Sequence, residues 1–519
     1  MRLDVPACAA RLRAAIEAAG ILRRPGGNAL ARALALVEAG DPSAALAALP
    51  PRIGDAALPP RSGDPALAAP SALLEALLLD AGGRREAAEA ALAAIVIGDG
   101  APYDILCLAG DVFPDWLKPE AARRAYDRAI ALAPHASHAW LRRGRAHGAA
   151  GDLAAAIDDL RRATLLQANL TEAHIALGDA YRDAAMPESA LSAYRCALEI
   201  EPDHVAAKTA LDAAIATLVP PWHAAMLNDQ RRNRAFDAAI RRAVVRCAAA
   251  RGKTPADIHV LDIGTGSGLL AMMAARAGAG HVTGCESVGP LAEVAREIVA
   301  RNGFAGRIDI VHKRSAELAP GADLPRSADL LVAEIVDAAL LGEGILGAIA
   351  DARARLLAPD AIIIPQGAVL YAMPIESAQI AAERRVGEAA GFDIAPFNAL
   401  APRLWLQTDL ARYDWQKLAA PVELFRFDFT RDSAAGGETA LRLLPDRDGT
   451  AHAVALWFRL ALDDETALAT GPADPPTHWQ QAVLALDAPV ALKQSEPARL
   501  HARHDGRHLV VRLGPGGGP

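Results

Sequence analysis

A glycine-rich turn follows a short apolar segment near the middle of this 519-residue chain. Ile258–Ile263 has the length and composition of a buried strand, with the carboxylate of Asp262 near its end. Glycines let a backbone approach a ligand closely where a strand feeds the N-terminus of a helix. A second short strand ends at Glu286, at roughly the twenty-residue interval of a carboxylate that accepts hydrogen bonds from ribose hydroxyls. The sequence therefore predicts a nucleotide-type cofactor site formed by both carboxylates and the turn glycines, Gly264, Gly266 and Gly268.

The nature of the cofactor depends on the form of this turn. Its sequence, from Asp262 to Gly268, resembles the first motif of class I methyltransferases, which place a carboxylate near the methionine portion of S-adenosylmethionine. A nicotinamide cofactor is the alternative, but its pyrophosphate would not favour that carboxylate. We therefore predict S-adenosylmethionine as the cofactor.

Two glutamates, Glu334 and Glu343, lie nine positions apart after a later strand. Glu334 directly follows the apolar run Leu330–Ala333, where a carboxylate is costly unless it is paired. Glu343 lies in a Gly-Glu-Gly turn, where a lone glutamate would usually be solvated. An arginine guanidinium is planar, stays protonated and presents a fork of donors, so two facing carboxylates can clamp it by bidentate hydrogen bonds. The clamp would draw positive charge toward the bound nitrogens and leave the remaining one more nucleophilic.

The glutamate pair and two further segments resemble the protein arginine methyltransferase family from about Trp222 to the C-terminus. The pair is similar to that family's double-glutamate hairpin, and Thr477-His478-Trp479 is identical to its late Thr-His-Trp motif. The segment from His223 to Asn233 resembles its cofactor-covering helix, which implies that Arg232 grips the cofactor's carboxylate. The resemblance also implies an Asp229–His478 pair that closes this helix over the cofactor or relays the proton lost after transfer.

The resemblance implies that the loop after the third strand holds the adenine. This loop runs from Lys313 to Glu317, and Ala316 aligns with the glutamate that arginine methyltransferases often use. Backbone groups at Ser315 and Ala316, or the Glu317 side chain, are the expected replacements. The family's aromatic helix ahead of His223 is absent, because Leu218-Val219-Pro220-Pro221 stands there. The substrate-pocket aromatics are therefore not identifiable, and the product can be monomethyl, symmetric dimethyl or asymmetric dimethylarginine.

The N-terminal half carries an internal repeat. Gly110, Gly144 and Gly178 are spaced by 34 residues, and columns of small and large residues follow in the same register. This pattern resembles the tetratricopeptide repeat, in which a small residue lies where two helices touch. We expect a helical segment and linker over residues 1–70 and the array over residues 71–216. Stacked helix pairs make concave binding faces, so we expect the array to dock protein substrate; the alternative is that it only stabilises its neighbour.

The predicted fold is multidomain. After the all-α tetratricopeptide-repeat array, alternating strands and helices predict an α/β Rossmann-like sheet over residues 217–364, with capping helices at its start. Strand patterns between Gly, Asp and Pro turns predict a C-terminal β-barrel substrate domain over residues 365–519. In the family, an insertion in the position of residues 381–418 makes a dimerisation arm, which implies that this chain can form a homodimer.

Composition limits the class of protein. With 52% hydrophobic and 22% charged residues, the chain is globular, and its formal net charge of -8 argues against a general nucleic-acid binder. The five cysteines are scattered without a CxxC pair, so we predict neither disulfides nor a metal site. Neither a signal peptide nor a charge-free stretch long enough to span a bilayer is evident, which predicts a cytoplasmic protein without a membrane partner.

Three functions follow from these patterns. The leading prediction is arginine methylation of a protein that the repeats recruit. The second is another methyltransferase activity, such as that of the lysine-modifying ribosomal-protein enzymes. These have the same glycine-turn sequence but do not need a carboxylate clamp. The third is a binding scaffold with a degenerate methyltransferase module, which the intact Asp262, Glu286, Glu334 and Glu343 disfavour.

Overall fold

The computed structural model describes residues 5–18, 27–49, 65–97, 101–112, 119–400, 405–433 and 435–515. The chain divides into two compact units, Met1–Leu218 and Val219–Pro519. Most of the linker expected before residue 71 lies outside the described residues, and the helix that follows already begins at Pro65. Within the described ranges, no helix is both long and apolar enough to cross a membrane.

The first unit is built of helices that pack mainly against their sequence neighbours. Their bounds are α1 Val5–Ala18, α2 Gly27–Glu38, α3 Pro42–Ala48, α4 Pro65–Ala81, α5 Arg85–Ile97, α6 Tyr103–Val112, α7 Pro119–Leu132, α8 Ser137–Ala149, α9 Leu153–Leu166, α10 Thr171–Asp183, α11 Pro187–Ile200 and α12 Val205–Leu218. Successive helices from α4 to α11 form pairs with short connections, which is the arrangement of the predicted repeats.

The repeat glycines lie where the two helices of a pair touch. A Cβ on Gly144 would lie 2.7 Å from Leu160 Cγ, and one on Gly178 would lie 2.4 Å from the Tyr194 ring. The tyrosine also has a polar partner that the 34-residue register does not suggest, because its hydroxyl donates to Asp179 at 2.8 Å. The glycine column thus marks close helix contacts, as the sequence predicts.

The second unit begins with α13 Trp222–Asn228 and α14 Gln230–Ala250, which lead into a parallel five-stranded sheet of order β3-β2-β1-β4-β5. Its elements are β1 His259–Ile263, α15 Leu269–Arg276, β2 His281–Glu286, α16 Gly289–Arg301, β3 Ile308–His312, β4 Ala328–Ala333, α17 Ile345–Arg355 and β5 Leu357–Ile364. The order reverses between β1 and β4, and ligands of such sheets bind at the carboxyl ends of the strands near this point.

The C-terminal part is antiparallel, as the strand patterns predict. Its elements are β6 Gly367–Glu376, α18 Ala378–Arg384, β7 Glu388–Ala389, β8 Phe392–Asp393, β9 Leu406–Thr408, β10 Gln416–Lys417, β11 Val422–Asp428, β12 Gly437–Leu443, β13 Gly449–Ala461, β14 Ala467–Ala469, β15 Gln481–Leu492, β16 Ala498–His504 and β17 Leu509–Pro515. They form a seven-stranded sheet along β10-β6-β13-β15-β9 and a three-stranded sheet β12-β16-β17, which together make a barrel-like region.

A large hydrophobic core runs through the second unit, beside a smaller one in the antiparallel region. The large core extends from Phe236 on α14, through the parallel strands, to Phe458 and Trp479 in the antiparallel region. The Trp479 indole packs edge-on against Phe458, with ring centroids 5.4 Å apart, and its Nε1 donates to the Val336 carbonyl at 3.0 Å. This contact fixes the loop after β4 to the antiparallel region and so positions the candidate site.

Candidate active site

The glycine turn and the double-glutamate loop are in direct contact. They follow the neighbouring parallel strands β1 and β4, so both lie at the same edge of the sheet. Gly264 adopts φ +70°, and a Cβ there would lie 2.4 Å from Cγ2 of Ile335, the residue after Glu334. Only glycine combines this backbone conformation with this close approach.

The two carboxylates predicted to bind the cofactor, Glu286 and Asp262, lie at that edge and differ in their hydrogen-bond partners. Glu286 accepts the N–H groups of Gly266 at 3.0 Å and Val288 at 2.9 Å, one on each oxygen. Asp262 is fully buried; its Oδ2 accepts the Thr265 hydroxyl at 2.6 Å, and burial raises its pKa to about 6. Its Oδ1 has no hydrogen-bond partner among the described residues. A buried acceptor without a donor is a place for a ligand donor.

The proposed adenine loop is a single 3-10 turn, Ser315–Glu317, after β3. The Glu317 carboxylate caps this turn by accepting the Arg314 N–H at 2.9 Å. The carbonyls of Ser315 and Ala316 accept Arg355 Nη2 at 3.2 Å and 3.1 Å. These acceptors are thus engaged within the protein, and their role toward adenine stays a prediction.

Arg232 lies on the first of the paired glutamates. Its guanidinium forms an ion pair with Glu334 Oε2, and both side chains are at most 5% exposed. Burial raises the pKa of Glu334, and the charge of Arg232 opposes that shift. The resemblance implies that this arginine grips the cofactor's carboxylate; in the structure its guanidinium bonds to Glu334 and to Asn233 Oδ1, the latter at 2.9 Å, while its Nε has no partner among the described residues.

Asp229 connects two distant segments of the chain. It caps the start of α14 by accepting the Arg232 N–H at 2.9 Å, and its Oδ2 accepts both the backbone N–H and Nδ1 of His478, at 3.0 Å and 3.1 Å. Burial would raise the pKa of Asp229, but the backbone hydrogen bonds outweigh it and the pKa is lowered. Burial lowers the pKa of His478 to about 4, so the imidazole is neutral and its proton is on Nδ1, facing the carboxylate.

The two glutamates line one cavity, as the sequence predicts. Its volume is about 60 Å³, and His478 and Met226 also line it. Glu334 Oε1 lies 3.9 Å from His478 Nε2. Glu343 is exposed to solvent, which screens its neighbours; the protein packed around it, followed by the charges of Glu334, Asp337 and Glu286, raises its pKa to about 8.

Three polar or aromatic residues that the sequence does not predict also line the cavity. Trp222, at the start of α13, lines it although the family's aromatic helix is absent. Gln407 lines it as well and donates from its side-chain amide to the His478 carbonyl at 3.1 Å. Asp337 is the third. The sequence could have indicated only Asp337, because it lies in the loop between the two glutamates. Trp222 and Gln407 reach the cavity from segments about 185 residues apart by their numbering, so no local pattern connects them.

Known protein families match three segments of this chain. Residues 366–509 match the family model of the arginine methyltransferase oligomerization subdomain, residues 248–370 that of the ribosomal protein L11 methyltransferase, and residues 137–170 that of the tetratricopeptide repeat. The arginine Nω-methyltransferase of Streptomyces achromogenes subsp. streptozoticus is 40% identical over 282 residues, covering 54% of this chain and 75% of that protein.

Longer relatives are matched over part of their length. Protein arginine N-methyltransferase 7 of Drosophila grimshawi is 35% identical over 319 residues, covering 54% of this chain and 45% of that protein, so the chain spans about half its length. Among solved structures, a Trypanosoma brucei protein arginine methyltransferase 1 enzyme–prozyme complex with AdoHcy is 28% identical, with a TM-score of 0.48 over 56% of this chain and 92% of that chain.

The residues at the sheet edge fit S-adenosylmethionine. The buried Asp262 Oδ1 lacks a donor, which suits the cofactor's ammonium group, and the buried Arg232 Nε lacks an acceptor, which suits its carboxylate. Glu286 stands at the end of β2, where a carboxylate can accept ribose hydroxyls, and Gly264 leaves room for close backbone approach. The cofactor is S-adenosylmethionine. Its individual contacts with these residues are predictions.

Proposed function

This chain belongs to the arginine methyltransferase family, and we propose that it methylates a guanidino nitrogen of arginine in a protein substrate, held between Glu334 and Glu343. The observation that carries the proposal is the convergence of both glutamates and His478 on one cavity. The cavity adjoins the glycine turn, because Ile335 packs against Gly264.

The glutamates bind and orient the guanidinium. Arg232 occupies Glu334 Oε2, so the other oxygen, Oε1, is the one available to a substrate N–H. Glu343 supplies the second carboxylate, and its ionisation is favoured by the incoming positive charge. S-adenosylmethionine, when bound, supplies the electrophilic methyl group. Charge-assisted hydrogen bonds on one side of the guanidinium leave its free nitrogen aligned for attack, which contributes to the rate mainly through orientation.

His478 is the proposed proton acceptor. The methylated nitrogen must lose a proton, and the neutral imidazole presents an unprotonated Nε2 toward Glu334, at 3.9 Å from Oε1. Asp229 holds the opposite ring nitrogen at 3.1 Å, which keeps the tautomer and stabilises the imidazolium that forms. The same carboxylate caps α14, so closure of this helix and the orientation of the imidazole depend on one group.

The repeats are proposed to recruit the protein substrate. They form helix pairs, and a groove of about 580 Å³ is lined by residues of five helices. Among these residues, Arg11 on α1 and Arg142 on α8 both pair with Asp111 on α6. Stacked helix pairs commonly bind partners on concave faces. Lysine methylation is the second candidate, because residues 248–370 match the ribosomal protein L11 methyltransferase model; that segment, however, ends before His478.

A homodimer is part of the proposal. Residues 366–509 match an oligomerization subdomain, and in its segment 381–400 the exposed large apolar side chains include Phe392 at 72%, Phe397 at 64% and Leu400 at 79%. Such a cluster of exposed apolar side chains is typical of a protein contact surface.

The test is transfer of a radiolabelled methyl group to peptides that differ only in carrying Arg or Lys, with free arginine as a third acceptor and amino-acid analysis of the products. We expect methylarginine from the peptide. Label on the lysine peptide alone would support the second candidate, and absence of transfer to every acceptor, together with absence of cofactor binding, would support a degenerate scaffold. Turnover of free arginine in preference to the peptide would contradict a protein substrate.

A further inference from the structure

The loop between the paired glutamates holds a third carboxylate, Asp337, that closes a tight turn. Its Oδ1 accepts the Gly342 N–H at 3.1 Å, and the amide of Ala339 also bonds to this carboxylate. The fit is close, because a Cβ at Gly342 would lie 2.2 Å from Asp337 Oδ2. The turn therefore needs both an acceptor at its start and a glycine at its end.

The turn contains a strained residue that its contacts must hold. Leu340 is fully buried and adopts φ +77°, a region that side chains other than glycine rarely occupy. Its N–H donates to the Asp337 carbonyl at 2.9 Å. Such strain persists only where the surrounding structure over-determines it, and it concentrates at functional sites.

Glu343 depends on this turn for its position. None of the hydrogen bonds or ion pairs found among the described residues involves its carboxylate, whereas Glu334 is held by Arg232. The backbone just before Glu343 is fixed by Asp337 through the Gly342 N–H, and Arg507 Nε donates to the Gly342 carbonyl at 3.3 Å.

We propose that Asp337 is a positioning residue of the methyl-transfer site: its carboxylate closes the turn to Gly342 and so presents Glu343 to the cavity opposite Glu334. The inference rests on the proposed function, because it gives Glu343 a substrate to hold. It assigns to Asp337 the role that Arg232 has toward Glu334, that of fixing one half of the clamp.

The negative charge of Asp337 has a second effect that separates positioning from simple loop stability. Burial, followed by the charges of Glu334, Asp337 and Glu286, raises the pKa of Glu343 to about 8, and the neutral His478 lies across the cavity. Two cations around this loop are engaged elsewhere, Arg232 with Glu334 and Arg507 with the Gly342 carbonyl. Removal of one negative charge therefore lowers the pKa of Glu343.

The test uses the full-length chain and three variants. Asp337→Asn keeps the acceptor for Gly342 but removes the charge, Asp337→Ala removes both, and Gly342→Ala drives the carboxylate out sterically. Asp428→Ala is the matched control, because Asp428 also accepts a turn N–H, that of Thr430 at 3.0 Å, at an exposed site outside the cavity. Each variant is measured for kcat and KM on an arginine peptide against pH, for cofactor affinity, and for amide hydrogen exchange of the peptide covering residues 337–343.

We expect Asp337→Ala and Gly342→Ala each to lower kcat/KM by about tenfold or more with cofactor affinity within about twofold, and their double variant to be no worse, because both break one contact. Asp337→Asn should keep kcat at high pH within about threefold and move the acid limb of kcat/KM to lower pH. Exchange of the 337–343 peptide should rise by about tenfold or more in Asp337→Ala but not in Asp337→Asn.

The proposal is overturned if Asp337→Ala keeps wild-type turnover, or if the rise of kcat/KM with pH is not shifted in Asp337→Asn. It is also overturned if the losses add in the double variant, or if Asp428→Ala shows a similar loss. The exchange measurement needs no substrate, so it distinguishes the two levels of inference. If the wild-type chain fails to methylate arginine, the proposed function fails, whereas unchanged exchange in Asp337→Ala contradicts the positioning role itself.

Discussion

At the scale of single residues, the site is a set of carboxylates whose protonation differs by position. Burial would raise the pKa of Asp229, but its two backbone N–H partners lower it. Burial raises the pKa of Glu334, and the charge of its partner Arg232 opposes that shift. Glu343 has no cation against it among the described residues and faces other carboxylates. A substrate guanidinium would supply the missing positive charge, which makes the protonation of Glu343 the first event to test.

The pH dependence of the reaction should report Glu343. Its pKa is raised to about 8, so at lower pH a guanidinium can bind this carboxylate only after it loses its proton. We expect kcat/KM on an arginine peptide to rise with pH, by up to about tenfold per unit below the pKa, and to level off above it. Steady-state kinetics between about pH 6 and pH 10 measures this. The residual activity of Glu343→Gln should not show this rise of kcat/KM with pH. A wild-type profile that is flat through pH 8 would contradict the assignment of the rise to ionisation of Glu343.

The residue patterns and their resemblance to the arginine methyltransferase family together predict much of this site. The motifs identify the clamp glutamates, His478 and Asp229, and the fold brings these side chains together. Two features lie beyond such patterns. The partner of Arg232 depends on where α14 lies relative to β4, and Trp222 and Gln407 reach the cavity from segments without a shared motif. Side-chain convergence across distant segments is a tertiary property, whereas motif spacing is local.

At the scale of elements, the periodicity of buried residues explains which predictions succeed. The 34-residue period and the alternation of strand and helix predict the correct fold class, because periodicity follows from which face of an element is buried. Individual strands are predicted less completely: the apolar patterns do not indicate β6, which lies between β11 and β13, or β16. β6 contains Pro374, which a central strand disfavours, and pairing with neighbouring strands overrides that local signal. β16 does alternate, with Ala498, Leu500 and Ala502 buried between arginines and a histidine, but two of these three apolar side chains are small and give a weak signal.

Helix α8 offers a direct test of the close contacts in the repeats. A Cβ at Gly144 would lie 2.7 Å from Leu160 Cγ, whereas one at Gly148 would meet Ala156 Cβ at 3.8 Å, which is ordinary van der Waals contact. Gly144→Ala should therefore destabilise the first unit by about 1–3 kcal/mol through overpacking. Gly148→Ala, on the same helix, should be neutral or stabilise it by up to about 1 kcal/mol, since alanine favours helix.

Chemical denaturation of the full chain, followed by far-ultraviolet circular dichroism, measures both variants. The comparison isolates the contact, because the substitutions are identical and lie four residues apart. Equal effects on the two midpoints would show that the glycine column does not mark the helix contacts that matter for stability.

At the scale of the whole molecule, the two units divide recognition and chemistry in our proposal. Every residue of the candidate site lies in the unit Val219–Pro519, and the repeats lie in Met1–Leu218. Removal of residues 1–218 should lower kcat/KM for a natural protein substrate by about tenfold or more while leaving a short arginine peptide within about threefold. Cofactor affinity serves as the control for folding of the remaining unit. Equal losses on protein and peptide would indicate that the repeats only support the catalytic unit.

The dimer prediction concerns the exposed apolar side chains near residue 397. Phe397→Asp places a charge on that surface and should shift the protein from dimer to monomer in sedimentation or light scattering, since burying an unpaired charge is costly. Leu444→Asp is the matched control, because Leu444 is 69% exposed in the same unit but lies outside residues 381–418. A dimer that survives Phe397→Asp, or one lost equally in both variants, would contradict the arm assignment.

The carboxylate clamp is tested most directly by Glu334→Gln, assayed for single-turnover methyl transfer to an arginine peptide beside a cofactor-binding titration. The substitution keeps size and one acceptor oxygen but removes the charge that faces the guanidinium. We predict that transfer slows by about 100-fold or more, equivalent to about 2.7 kcal/mol of transition-state stabilisation, with cofactor affinity within about threefold. Near-normal transfer by Glu334→Gln, with the cofactor bound, would contradict the clamp.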